Sequence, residues 1–185
     1  MSAFRRKSRV GFVVIKVSVG GTAFYLMRIN QKWKDVNFVG GHEKDRDAGS
    51  LEKTARRELW EEVPPIRDFT DFGLRPLTQR LHYGPIESRS KGGEVEYELQ
   101  FFLLAMDRSP EALIRALSER TKNIWVAESD LLIPRRYRVS GLVKLLEATI
   151  PGGLQALPYS SAIDLDFMRD RILNFSSKQI GLALI

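Results

Sequence analysis

Cysteine is absent from this 185-residue chain, which excludes disulfides, thiolate metal sites and a cysteine nucleophile. Histidine is scarce: with only His42 and His82 present, a metal would have to sit on oxygen or on those two rings. There is no low-complexity tract and no internal repeat, and 43% hydrophobic with 28% charged residues is ordinary usage for a folded protein. Long apolar runs are also lacking. Residues 10–19 come closest, but Lys16 interrupts them, they are too short to span a bilayer, and no small-residue cleavage site follows the basic start Arg5, Arg6, Lys7. The expectation is a cytoplasmic chain with no membrane segment. A formal charge of +6 favours approach of polyanions such as nucleotides and, more weakly, RNA. No dense basic run interleaved with aromatics marks a nucleic-acid surface, so an ordinary solvated basic surface explains the charge equally well.

The length suits one domain, or one with an appendage. Residues 9–19 and 22–30 are rich in Val, Ile, Phe and Tyr around Gly20-Gly21, a favoured two-residue turn, which predicts a β-hairpin. Residues 36–39 read as a short strand stopped by Gly40-Gly41. A helix is expected from Ser50, as N-cap, to about Val63, where Pro64-Pro65 ends it; Leu51, Ala55 and Leu59 give it one apolar face. Strands are expected over 74–82 and 95–106, flanking a polar loop with Gly84, Pro85, Gly92 and Gly93. Ser109-Pro110-Glu111 predicts a helix over 112–120, and residues 123–126 read as a return to the sheet. From about Arg135 the pattern turns helical, near 142–148 and 164–173. The expected organisation is a catalytic domain over 1–135 and a helical C-terminal extension over 136–185, docked on it.

Chemistry concentrates in residues 40–63. Glu58, Glu61 and Glu62 stand at i, i+3 and i+4, so on a helix they share an arc of roughly 100°. Crowded carboxylates repel unless something neutralises them, and hard divalent cations prefer such oxygen ligands. A backbone carbonyl of Gly40-Gly41 can add another oxygen.

At these residues the sequence resembles the Nudix hydrolase family, whose box reads G-x5-E-x7-R-E-U-x-E-E-x-G-U. Arg57-Glu58-Leu59-Trp60-Glu61-Glu62 matches the R-E-U-x-E-E core throughout, behind a strand and Gly-Gly. The resemblance implies an α/β fold, a Nudix-like α/β/α sandwich with a mixed β-sheet. It implies Mg²⁺, or Mn²⁺, held by Gly40 through its carbonyl and by Glu58, Glu61 and Glu62, which are also the catalytic carboxylates. Arg57 would be structural, pairing with an acidic residue in the loop. The segment between Gly41 and Arg57 is two residues longer than in the family, so the box's first glutamate falls on Gly49 counting back and on Asp47 counting forward. Pro64 replaces the closing glycine, Pro65 the final aliphatic residue, and Val39 the usual proline. The implied reaction is hydrolysis of a phosphoanhydride in a nucleoside diphosphate linked to another moiety, a nucleotide-type small molecule. The alternative is a non-catalytic Nudix-like nucleotide-binding regulatory domain. For the general base Glu87, Glu94, Glu96, Glu98 and Glu128 compete alongside the box glutamates, and pairing of two copies as a homodimer is a further expectation from the resemblance.

Overall fold

The computed structural model describes residues 6–32, 34–64, 66, 72–87, 93–106, 122–133 and 138–173. It is a mixed α/β fold built on two five-stranded sheets, each with one parallel pairing. The first sheet contains β1 (Arg6–Val14), β5 (Val39–His42), β6 (Phe72–Pro76), β7 (Leu81–Glu87) and β8 (Glu94–Met106). The second contains β2 (Lys16–Val19), β3 (Thr22–Asn30), β4 (Asp35–Asn37), β9 (Asn123–Ala127) and β10 (Arg138–Val139). Both faces of the sheets are covered, and strand alternation explains how. Val13, Leu26, Phe102 and Trp125 join one apolar cluster, while their neighbours Val14, Tyr25, Phe101 and Val126 join the other.

Helix α1 (Leu51–Glu62) packs on the first cluster through Leu51, Ala55 and Leu59. Burying each leucine contributes about 2 kcal/mol. Ser50 caps it by accepting a hydrogen bond from the Lys53 N–H at 3.3 Å, as the sequence predicts. Gly11 of β1 lets the helix approach closely: a Cβ there would stand 2.8 Å from the backbone nitrogen of Ala55. On the opposite face α2 (Glu128–Leu132) and α3 (Gly141–Thr149) bury Leu131, Val143 and Leu146 in the second cluster.

Several expected boundaries differ from the structure. The 9–19 stretch is two strands rather than one, because the chain leaves the first sheet at Ile15, whose carbonyl accepts from the Leu26 N–H at 3.0 Å. The hairpin proper is β2–β3, with Val19 opposite Thr22 across Gly20-Gly21. Residues 36–39 likewise cross between sheets at Phe38, and Gly40-Gly41 lies inside β5 instead of stopping a strand. The 74–82 stretch divides into β6 and the start of β7, since Thr78 Oγ1 takes the Phe101 N–H at 3.3 Å and interrupts the ladder. Gly84 and Pro85, expected in a loop, belong to β7 at a register shift. The expected helix over 112–120 lies outside the described residues.

Beyond α3 a 3₁₀ turn, Leu154–Ala156, precedes another at Asp166–Met168 that runs into helical residues 169–173, so the start of the expected 164–173 helix is a tighter turn. Both apolar clusters take residues from this part of the chain, Leu154 and Leu157 in one, Leu165, Met168 and Ile172 in the other. Polar anchors reinforce it. Buried Lys16 Nζ donates to the carbonyls of Leu154, Gln155 and Leu157 at 2.9–3.2 Å and pairs with Glu128 at 3.0 Å. Asp164 accepts the Gly20 and Gly21 N–H groups at 2.7 and 2.9 Å, closing the extension onto the hairpin turn.

Candidate active site

The site begins with two glycines pressed against other atoms. A Cβ on Gly41 would stand 2.6–2.8 Å from the carboxylate of Glu58, and one on Gly40 would come within 2.8 Å of the Phe12 backbone. Gly41 is required because α1 lays the Glu58 carboxylate directly over it, and Gly40 because β1 presses against it through Gly11 and Phe12. Glu62 reaches the same place: its Oε2 accepts the Gly40 N–H at 3.1 Å, and its Oε1 meets Arg28 Nη1 at 2.8 Å.

Arg57 organises the loop behind the helix. Its Nε and Nη2 grip Asp47 at 2.9–3.1 Å, Nη2 also donates to the His42 carbonyl at 2.7 Å, and Nη1 reaches Glu58 at 2.6 Å and Glu61 at 3.2 Å. Of the two alignments of the box's first acidic residue, the structure selects Asp47. Ala48 and Gly49 turn with positive φ, 51° and 77°, and the Asp45–Asp47 3₁₀ turn takes up the longer spacing. Asp47 is buried at 3% exposure, and hydrogen bonds from Arg57 hold its carboxyl down at about 2 despite that burial. The Lys44 N–H and Thr54 hydroxyl complete its shell at 2.9 and 3.1 Å.

The three helix carboxylates are thus on one side of α1 but not equivalent. Glu58 lies over Gly41 against Arg57. Glu61 is the most exposed; against the cost of partial burial, Lys44 and Arg57 lower its pKa, and Arg46 pairs with it as well. Glu62, no more exposed than Glu58 but set at the mouth of a cavity, is the perturbed one: desolvation pushes its carboxyl up to about 7, opposed by Arg28 and the Gly40 N–H and reinforced by Glu58 and Glu61. Among the described residues no group of three or more His, Asp or Glu side chains is gathered closely enough to hold a metal ion as placed. Cationic side chains supply the neutralisation instead. The donor chemistry nevertheless fits a hard cation, being all oxygen, with the Glu62 carboxylate desolvated enough that its ionised form is costly.

Two cavities open beside Gly40, where the sheets separate. One, about 400 Å³, is walled by Phe12, Tyr83, Tyr97, Leu99 and Leu142, with Asn30, Asn37 and His42 at its polar edge. The other, about 360 Å³, is lined by Arg28, Lys32, Lys122 and Glu62, and shares Asn30, Asn37 and Gly40 with the first.

The later glutamates are scattered. Glu128 is tied to Lys16 and to the Tyr25 hydroxyl, at the opposite end of β9 from Asn123, whose side chain donates to the Glu62 carbonyl at 3.3 Å. Glu98 pairs with Arg9 and Arg80, and Glu87 faces Glu94 across β7–β8. Glu96 lies opposite Lys7 in the β1–β8 register. His42 hydrogen-bonds Ser8 at 2.7 Å through Nδ1, and His82 lies opposite Glu98 in the ladder. Sequence reasoning missed Arg28, Lys32 and Lys122. Arg28 carried a signal, as a charge on the same face of β3 as buried Phe24 and Leu26.

A family profile described as NUDIX domain matches residues 7–147, and the chain belongs to the Nudix family. No curated protein matches it in sequence. Among solved structures it is similar to Shewanella oneidensis NrtR, at 16% identity and a TM-score of 0.50 over 68% of this chain and 54% of that one. It is also similar to a mutT/nudix family protein from Listeria innocua, at 14% identity and TM-score 0.49, covering 96% and 98% of the two chains. A NUDIX hydrolase from Nitrosomonas europaea gives 17% identity and TM-score 0.47 over 83% and 97%. These likenesses concern the fold, and the chain spans about half the length of NrtR.

Proposed function

We propose that the protein is a metal-dependent pyrophosphohydrolase that cleaves the phosphoanhydride of a nucleoside diphosphate linked to another moiety, in the cytoplasm. The observation that carries this reading is the placement of Glu58 and Glu62 over Gly41 and Gly40, with Glu62 lining a cationic cavity that adjoins an aromatic one. Glu58, Glu61, Glu62 and the Gly40 carbonyl would hold Mg²⁺ or Mn²⁺. An ion held there would supply neutralisation of phosphate charge and a lowered pKa for a coordinated water. The chain's own contribution is positional. Arg57, fixed by Asp47 and the His42 carbonyl, orients Glu58 and Glu61; Arg28 and the Gly40 N–H orient Glu62; the aromatic cavity receives the base and excludes water from it. Of the later glutamates, Glu128 is the least suited to proton transfer at this site, because Lys16 and Tyr25 occupy it elsewhere.

One observation favours a second reading, a nucleotide-binding domain without hydrolysis: every box carboxylate already has a cationic partner, in Arg57, Arg28 or the Lys44–Arg46 pair. Two measurements decide between them. Wild-type protein is screened for Mg²⁺-dependent release of phosphate or mononucleotide from nucleoside triphosphates, nucleotide sugars, dinucleoside polyphosphates, ADP-ribose, NADH and capped RNA. Mn²⁺ binding is followed in parallel by electron paramagnetic resonance. Turnover with Mn²⁺ bound supports the enzyme; nucleotide binding with neither Mn²⁺ uptake nor turnover supports the second reading.

A further inference from the structure

Pro64 and Pro65, which follow α1, carry no N–H, so neither can donate to the carbonyls that the last turn of the helix leaves open. Val63 leaves the helix at φ −130° and ψ 62°, outside the left-handed region in which a terminal residue folds back to cap such groups. Donors must come from elsewhere in the fold. For Glu62 the donor is Asn123, the first residue of β9, whose Nδ2 lies 3.3 Å from the Glu62 carbonyl oxygen. Asn123 is 1% exposed, and its Oδ1 has no hydrogen-bond partner among the described residues. An unmet buried acceptor disfavours the fold, so what this side chain contributes is its amide N–H.

Arg28 stands opposite Asn123 in the antiparallel β3–β9 register. Its Nη1 meets the Glu62 Oε1 at 2.8 Å, while the Gly40 N–H donates to Oε2 at 3.1 Å. One cross-strand pair of the second sheet thus grips Glu62 at both ends, carboxylate and carbonyl. The other two box carboxylates are held differently, by Arg57, Lys44 and Arg46 of the helix and the loop before it. Resting on the hydrolase reading above, we propose that Asn123 is a positioning residue: by fixing the carbonyl of Glu62 it sets where the Glu62 carboxylate stands beside Gly40 to meet a divalent cation. Arg28 alone does not set this, because helix ends fray and a carboxylate on a loose end follows its guanidinium. In this role Asn123 acts through Glu62, and not on the cation or the substrate.

Asn123→Leu keeps the side-chain size while removing both the donor and the orphaned acceptor, so its urea-unfolding midpoint in EDTA should stay close to that of wild type. Its Mn²⁺ affinity, read by electron paramagnetic resonance, should nevertheless fall about three- to tenfold, the size of one lost hydrogen bond. On a nucleotide that the wild-type protein hydrolyses, kcat should drop about ten- to a hundredfold, with KM changed by less than about threefold. A residue that only supported the fold would move the unfolding midpoint and neither of these. If Asn123→Leu does not fold, Asn123→Ser, too short to reach the carbonyl, should show the same losses. In the Glu62→Gln protein, which keeps Glu58, Glu61 and the Gly40 carbonyl, adding Asn123→Leu should weaken Mn²⁺ by less than about twofold further. Wild-type Mn²⁺ affinity and kcat in the folded variant, or an undiminished further loss in the Glu62→Gln protein, would overturn the inference and leave the hydrolase reading intact. Mn²⁺ binding without turnover in wild type, with the expected fall in affinity, would support the positioning role and remove hydrolysis. Wild-type protein that neither binds Mn²⁺ nor turns over any nucleotide would overturn both.

Discussion

Replacing Asp47 by asparagine tests the ion pair that organises the box loop. The side chains of Arg57 and Asp47 are 9% and 3% exposed, and three contacts of 2.9–3.1 Å join them. A carboxyl held at about 2 against an ordinary 3.8 favours the ionised folded state by about 2.5 kcal/mol, at 1.36 kcal/mol per pH unit. Removing one partner of a buried pair costs about 3–5 kcal/mol where nothing else compensates. Here Glu58, Glu61 and the His42 carbonyl still hold Arg57, so the lower figure applies. Asp47→Asn should therefore lose about 2.5 kcal/mol at pH 7, a fall in Tm of about 5–10 °C for a domain of this size. Because the folded pKa is depressed, the parent's advantage is complete above the unfolded value near 3.8 and is lost as pH falls through about 2. The gap between parent and variant should shrink by about half at pH 3. Urea unfolding of both proteins at pH 7 and pH 3, in EDTA, measures it. Equal stability at pH 7, or a gap that does not narrow with acid, would refute the reasoning.

Lys16→Met removes a buried ammonium that holds Glu128 and three carbonyls of 154–157; it should cost about 3–5 kcal/mol and speed proteolysis within that segment, read by denaturation and limited digestion. Gly41→Ala places a methyl against the Glu58 carboxylate, so it should weaken Mn²⁺ binding more than it lowers stability, read by Mn²⁺ titration beside a melting curve. Glu62 carries a raised pKa, so the metal-free parent should lose stability as pH rises from about 4.5 through about 7; Glu62→Gln should flatten that slope in urea titrations.

The part of the site that lies along one helix was legible in the sequence, because periodicity alone puts Glu58, Glu61 and Glu62 on one side and Leu51, Ala55 and Leu59 on another. The cap at Ser50 and the stop before Pro64-Pro65 are equally local. What crosses between elements was not. Residues 9–19 and 36–39 stay strand-like through their transitions at Ile15 and Phe38, and a single polar neighbour, Lys16 or Asn37, does not distinguish a change of sheet from an ordinary alternation. Gly40-Gly41 read as a strand end since nothing in sequence shows that a helix carboxylate lies over the strand. The expectation that crowded glutamates await a cation overlooked Arg28, about 30 residues upstream of them, and the basic loop residues Lys44 and Arg46. Lys16 was read only as a break in an apolar run, although a charge amid buried positions must find partners, and it does, in Glu128 and the 154–157 carbonyls.

The central claim is that the α1 carboxylates carry metal-dependent hydrolysis. Its most direct test is the turnover of Glu62→Gln on whichever nucleotide the wild-type protein hydrolyses fastest with Mg²⁺, using variant protein shown by urea unfolding to be folded. Loss of one preorganised electrostatic contact at a reacting centre costs on the order of 10²–10³ in rate. A fall of that size in kcat is the predicted result, and turnover at the wild-type rate would contradict the assignment of this helix as the catalytic centre.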